Sequence, residues 1–154
     1  MPMREWPAST AVEMEALGAR FGAHVGQVRL VNIHGPLGAG KTTFVRGLLR
    51  ALGHEGAVKS PTFTLVEPYD LKDISVYHFD LYRLNDPQEL EFIGLRDYLH
   101  GQGLCVVEWA ERAQDLLPTP DMDIMISIPP NGTGRRVQMT ARTAAGQAAL
   151  EALA

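Results

Sequence analysis

Gly35-Pro-Leu-Gly-Ala-Gly-Lys-Thr42 sets glycine, four residues, glycine, lysine and a hydroxyl side chain in that order, the spacing of a loop that wraps phosphate. Gly38 and Gly40 let the backbone turn successive amides inward around an anion, a path that side chains would obstruct. The expected cradle runs through Gly38, Ala39, Gly40, Lys41, Thr42 and Thr43, with the free amides of a helix start adding their dipole. Lys41 then sets an ammonium against the β- and γ-phosphates of a nucleotide, and the Thr42 hydroxyl stands where it would ligate Mg²⁺. Pro36 has no amide proton, yet it precedes the cradle.

Such a site also needs a carboxylate at the end of a neighbouring strand. Asp80 closes Val76–Asp80 and Glu108 closes Leu104–Glu108, so either could face the phosphates from a strand end, with a surface ion pair or helix cap as the plainer alternative. The loop reads phosphates and leaves the base open. The chain has no Asn-Lys-x-Asp guanine reader, since Asn85-Asp86-Pro87 lacks the lysine and has the form of a helix cap, so the residues favour ATP over GTP.

The elements that must bring these groups together can be read from periodicity. Val28–Ile33 is nearly all apolar, as a strand buried on both faces is. From Lys41 to Leu52, Phe44, Val45, Leu48, Leu49 and Leu52 recur at helical spacing, with Gly53 as the stop. Phe63–Tyr69 and Ile74–Asp80 read as strands joined by a short connection that suits an antiparallel hairpin. Thr10 and Glu13 have the form of a capping box, each side chain facing the other's backbone amide, at the start of a helix to about Phe21. Asp86-Pro-Gln-Glu89 starts a further helix with Asp86 as cap, and Gly94 kinks or divides it. Gly103–Trp109, Asp123–Ile128 and Arg136–Ala141 read as strands, and Thr143–Leu153 as a closing helix weakened by Gly146. The expected fold is α/β, a P-loop NTPase-like three-layer domain with a mixed, mostly parallel central sheet, spanning residues 1–154 as one unit.

Composition narrows the function classes. A net charge of −4 argues against a stand-alone nucleic-acid binder; the one basic run, Arg135-Arg136, reads as a solvated loop. Cys105 is the sole cysteine, so an intrachain disulfide is excluded, and its apolar surroundings suit an inert buried thiol. No stretch approaches the ~20 apolar residues of a membrane span, and the N-terminus lacks an apolar leader. The expected location is cytoplasmic, with no membrane partner.

Four blocks in order, Leu37-Gly-Ala-Gly-Lys-Thr-Thr43, Lys59-Ser-Pro-Thr-Phe-Thr-Leu-Val66, Tyr77-His-Phe-Asp-Leu-Tyr-Arg-Leu84 and Val107-Glu-Trp109, are more selective than the loop alone. Together they resemble the TsaE family, P-loop ATPases of bacterial tRNA threonylcarbamoyladenosine biosynthesis. The resemblance implies ATP/ADP and Mg²⁺ as cofactors, with Lys41, Asp80 and Glu108 as catalytic residues, Thr42 and Glu108 serving the metal, and Asp80 needed for hydrolysis or its coupling. It implies that Ser60–Thr64 is a switch loop in which Thr62 or Thr64 senses the γ-phosphate; a plain Pro-initiated strand is the alternative. Trp109 would sit near the nucleotide, or be a core tryptophan. Thr10 and Arg135 would reach the base or ribose, with helix capping and solvent exposure as the alternatives. The implied partners are TsaD and TsaB, with tRNAs reading codons that begin with adenine as indirect beneficiaries, and hydrolysis by the isolated chain would be slow. The chain departs from the family pattern at Pro36, where an acidic residue is usual, and at Ala110, where proline is. His78 and Tyr77 lie in a matched block, with simple packing as the alternative to a role in the site. A small-molecule or nucleoside kinase with Asp80 as base shares the loop, as does a GTP-driven switch module, but the sequence has no obvious acceptor domain or arginine-rich lid.

Overall fold

Leu30–His34 forms β2, the strand that ends at the glycine-rich loop; its first four residues are buried because helices cover both faces of the sheet. The computed structural model describes residues 2–153. The other strands are β1 (Met3–Ala8), β3 (Val66–Asp70), β4 (Ser75–Asp80), β5 (Leu104–Glu108), β6 (Met122–Ser127) and β7 (Arg135–Ala141). They lie in the order β1-β7-β6-β2-β5-β4-β3. The four middle strands, β6, β2, β5 and β4, run parallel, while β3 at one edge and β7 and β1 at the other pair antiparallel. The expected hairpin is the β3–β4 pair.

Helices α1 (Ala11–Ala23), α2 (Lys41–Ala51) and α5 (Ala144–Ala152) bury Phe21, Phe44, Leu48 and Leu150 with Val31, Ile33 and Ile124. On the opposite face, α3 (Gln88–Phe92), α4 (Leu95–His100) and a 3-10 turn at Ala110–Ala113 enclose Phe79, Leu90, Leu95 and Val107. Three layers result. Gly94, at φ +82°, divides α3 from α4 as expected. Burial pushes the Cys105 thiol up to about 12, which leaves it unreactive.

The seat of α2 depends on two glycines facing across its contact with α1. A methyl group at Gly47 would fall inside van der Waals distance of the Glu15 carbonyl oxygen, and one at Gly18 would meet the Phe44 carbonyl. The two backbones therefore touch, and this contact fixes where α2 presents its N-terminus. Gly47→Ala is expected to cost about 2–3 kcal/mol through overpacking, outweighing the gain of up to ~1 kcal/mol in helix propensity. Calorimetry should show Tm falling by roughly 2–12 °C; a rise, as at an exposed helical glycine, would contradict the close contact.

The structure departs from the sequence reading in several places. β1 was not anticipated: it is mostly exposed, contains Pro7, and exists because it pairs with β7 as an edge strand, where proline is tolerated. Strand β3 begins at Val66, not Phe63, because the Leu65 amide turns back to the Pro61 carbonyl at 2.8 Å. The capping box is half formed: the Glu13 amide donates to Thr10 Oγ1 at 3.1 Å, but the Glu13 carboxylate meets the Thr10 hydroxyl, 3.4 Å away, and not its amide. Pro87, not Asp86, occupies the cap position of α3, although Asp86 Oδ1 still accepts from the Gln88 amide. Arg135 and Arg136 open β7 and are not a solvated loop; Arg136 pairs with Glu5 of β1 at 3.0 Å. Among the described residues no helix is long and apolar enough to cross a membrane.

Candidate nucleotide site

The loop between β2 and α2, the ends of β4 and β5, and the 60–65 segment converge at the C-terminal edge of the parallel strands, where ligand crevices form in open α/β sheets. Gly38 and Gly40 adopt φ of +79° and +109°, values that glycine takes without strain. The amides of Gly40, Lys41, Thr42 and Thr43 make no hydrogen bond among the described residues. The Ala39 amide is different: it is committed to the Pro36 carbonyl at 3.1 Å, so it leaves the expected cradle.

Arg135 explains the loop's orientation. Its Nε donates to the Ala39 carbonyl at 3.1 Å and its Nη2 to the Gly38 carbonyl at 3.2 Å. Because N–H and C=O of one peptide unit point opposite ways, holding the Ala39 carbonyl turns the Gly40 amide away from Arg135. The resemblance put Arg135 at the base or ribose. The structure puts its guanidinium on the carbonyl side of the loop, where it also borders a cavity of about 240 Å³ with Thr10, Met14 and Gly134.

On the amide side lies a cavity of about 310 Å³ lined by Lys41, Thr42, Ser60, Thr62, Asp80 and Glu108, with Tyr82 and Trp109. Lys41 is buried; Nζ donates to the carbonyls of Gly35 and Pro36 and stands 4.5 Å from the centre of the Trp109 ring. Burial lowers the Lys41 pKa, against the opposing pull of Glu108, Asp80 and Glu111. Trp109 reaches this position through a left-handed backbone, φ +60°, which costs a non-glycine residue on the order of 1 kcal/mol or more. Its indole lies tilted beside Tyr82, centroids 5.0 Å apart; half-buried, it packs against the core and also forms part of the cavity wall.

The two carboxylates, which strand position alone left open and the resemblance divided between metal and hydrolysis, have different surroundings in the structure. Asp80 and Glu108 face each other as register partners on β4 and β5, and both are buried. Asp80 is fully engaged: Oδ2 accepts from Ser60 Oγ at 2.8 Å and Thr62 Oγ1 at 3.0 Å, and Oδ1 accepts from the Tyr82 amide at 3.0 Å. Glu108 has one oxygen held, Oε2, by His78 Nε2 at 2.5 Å. Its Oε1 makes no hydrogen bond among the described residues and is not one of the sealed, unpartnered polar atoms, so it opens on the cavity. Of the two candidate sensing hydroxyls, Thr62 lines the cavity and exposed Thr64 does not.

Among the described residues no group of three His, Cys, Asp or Glu side chains could hold a metal by itself. A hard cation that shares phosphate oxygens and waters with one hydroxyl and one carboxylate needs no such group, and Thr42 with Glu108, which line one cavity, would supply the protein's share of that donor set. A larger cavity, about 620 Å³, opens beside His34, Asp123 and Arg142. There burial would raise the Asp123 carboxyl, but hydrogen bonds from His34 at 2.9 Å and Arg142 at 2.7 Å outweigh it and hold it low; no residue from Gly35 to Thr43 lines that cavity.

The family model of the threonylcarbamoyl adenosine biosynthesis protein TsaE matches residues 8–137. The chain belongs to the TsaE family. It is similar to the tRNA threonylcarbamoyladenosine biosynthesis protein TsaE of Haemophilus influenzae, 47% identical over 124 residues that cover 80% of this chain and 77% of that one. The protein of the same name from Bacillus subtilis is 38% identical over 126 residues, covering 82% of this chain and 78% of its own. The fold matches the crystal structure of Bacillus subtilis YdiB with a TM-score of 0.84 at 30% identity, covering 99% of this chain and 94% of that one. Within this TsaE-family chain, sequence reasoning gave no role to two residues that the structure brings to the site: His78, for which packing was the alternative, and Arg135 as a loop-holding residue.

Proposed function

We propose that this chain is a Mg²⁺-dependent ATP hydrolase acting in tRNA threonylcarbamoyladenosine biosynthesis, the process for which its family is named. The observation that carries the reading is the single cavity shared by four unpaired amides at Gly40–Thr43, the Lys41 ammonium, the Thr42 hydroxyl and the free Glu108 oxygen. Mg²⁺ would neutralise charge developing on the β- and γ-phosphate oxygens. The 240 Å³ cavity on the far side of the loop takes the base and ribose, with Thr10 and Arg135 at its border. It carries no carboxylate to receive the donors on guanine, which supports adenine.

A kinase would need a base to take the acceptor's proton, and three hydrogen bonds already tie Asp80 to Ser60, Thr62 and the Tyr82 amide, which suits holding the segment more than meeting an acceptor. Hydrolysis fits better. No arginine lines the triphosphate cavity, so the isolated chain lacks a group that speeds phosphoryl transfer by several orders of magnitude where present. Leu37 and Phe63, 62% and 84% exposed, stand at the cavity wall and on its 60–65 segment. Both features support a partner closing the site, and by family the partners are TsaD and TsaB, with ATP turnover driving or resetting their complex.

Purified chain should hydrolyse ATP to ADP and phosphate slowly, and adding TsaD and TsaB should raise the rate by on the order of tenfold or more. Glu108→Gln should abolish the Mg²⁺ dependence of that rate. Full-speed turnover that ignores both partners, or a phosphorylated small molecule as product, would overturn this reading.

A further inference from the structure

His78 is fully buried on β4, two residues before Asp80 and so on the same side of the strand. Its Nε2 meets Glu108 Oε2 at 2.5 Å, across 30 residues of sequence. Its Nδ1 is sealed and has no hydrogen-bond partner among the described residues. Buried polar atoms are rarely left so.

We infer that His78 is a positioning residue: its Nε2–H holds one oxygen of Glu108 and thereby aims the other, Oε1, into the triphosphate cavity. This rests on reading Glu108 as the carboxylate that faces Mg²⁺. An ionised carboxylate can only accept, so the ring proton belongs on Nε2. A second proton on Nδ1 would enclose an N–H with nothing to receive it, which is costlier than enclosing a bare lone pair under-satisfied. The imidazole is therefore a one-sided donor pointed at Glu108.

The need for such a donor follows from the surroundings. Glu108 is the carboxylate that acts most strongly on the Lys41 ammonium, and three side-chain torsions would let it swing toward that charge. Closing such an ion pair would occupy the lysine meant for phosphate and the oxygen meant for the metal. Anchored at Oε2, Glu108 keeps Oε1 toward the cavity and leaves Lys41 on the loop carbonyls. Partners of this outer kind, when removed, typically weaken metal binding 10- to 100-fold.

The test compares His78→Leu, which fills the space without a donor, with His78→Gln, whose amide nitrogen reaches a similar point and donates. ADP binding is measured by calorimetry with and without Mg²⁺, beside Glu108→Gln and the unaltered chain. In His78→Leu the tightening of ADP by Mg²⁺ should shrink roughly tenfold, while metal-free ADP affinity stays within about twofold, and His78→Gln should restore most of the difference. Ring-nitrogen NMR of the unaltered chain should show His78 protonated at Nε2 alone. An Nδ1–H ring, an undiminished Mg²⁺ effect in His78→Leu, or a His78→Gln no better than His78→Leu would overturn the inference. If Glu108→Gln itself keeps the full Mg²⁺ effect, the fault lies in the metal reading of Glu108, and the role of His78 falls with it. Should His78→Leu fail to fold, the NMR tautomer and the His78→Gln isotherms still decide.

Discussion

Lys41→Ala is expected to weaken ATP and ADP binding on the order of 100-fold or more while leaving the fold intact. The ammonium gives up its bonds to the Gly35 and Pro36 carbonyls when phosphate arrives, exchanging neutral acceptors for charged ones. Hydrogen bonds between charged partners are worth about 1.5–3 kcal/mol each, so two of them set a loss of roughly 3–6 kcal/mol. The amides of Gly40–Thr43 remain in Lys41→Ala, so binding is reduced and not erased. Lys41→Arg should not rescue it, because a planar fork does not fit where two carbonyls and the Trp109 face enclose a point charge. The pH dependence has a definite sign: burial lowers the Lys41 pKa from 10.5, so affinity that depends on its proton is lost at a lower pH than an ordinary lysine would give. Calorimetry checks the affinity, and thermal unfolding checks the fold. Binding within about threefold of the unaltered chain would show that the Lys41 ammonium does not hold phosphate.

Legibility in the sequence tracked how local the cause was. The loop was readable because glycine at +79° and +109° and a helix start are demands made within eight consecutive residues. Strands β2 and β5 were readable because burial on both faces makes them almost continuously apolar. Asp80 and Glu108 could be found as strand ends, and only the family resemblance divided their labour; position in the sequence could not, because the division depends on Ser60, Thr62 and His78. Tyr77-His-Phe reads as packing until β4 is laid parallel to β5 and the imidazole meets Glu108. β1 was invisible for a related reason: its sequence is a poor strand, and only β7 makes it one. Arg135 needed the same edge, since its reach to Gly38 and Ala39 depends on where β7 begins.

Asp80→Ala should free the 60–65 segment and cut hydrolysis on the order of 100-fold, with ADP affinity within about threefold of the unaltered chain. Ser60 and Thr62 both donate to Asp80 Oδ2, and the Asp80 amide donates to the Leu65 carbonyl. One residue thus holds both ends of a turn whose last position, Leu65, sits at φ +68°. Two hydroxyl–carboxylate bonds, discounted for the exposure of Ser60, are worth about 2–4 kcal/mol, which favours local opening by a factor of roughly 30–1000. Hydrogen exchange at the Leu65 amide, bonded to Pro61 at 2.8 Å, reads that opening directly. Asp80→Asn should fall between, since its oxygen can keep the Tyr82 amide while its nitrogen donates to hydroxyls able to rotate and accept. If hydrolysis disappears while Leu65 exchange is unchanged, Asp80 acts on the attacking water and not on the segment. If Asp80→Ala instead removes the Mg²⁺ dependence that Glu108→Gln retains, the two carboxylates have exchanged roles, and the free oxygen of Glu108 is a consequence of packing alone.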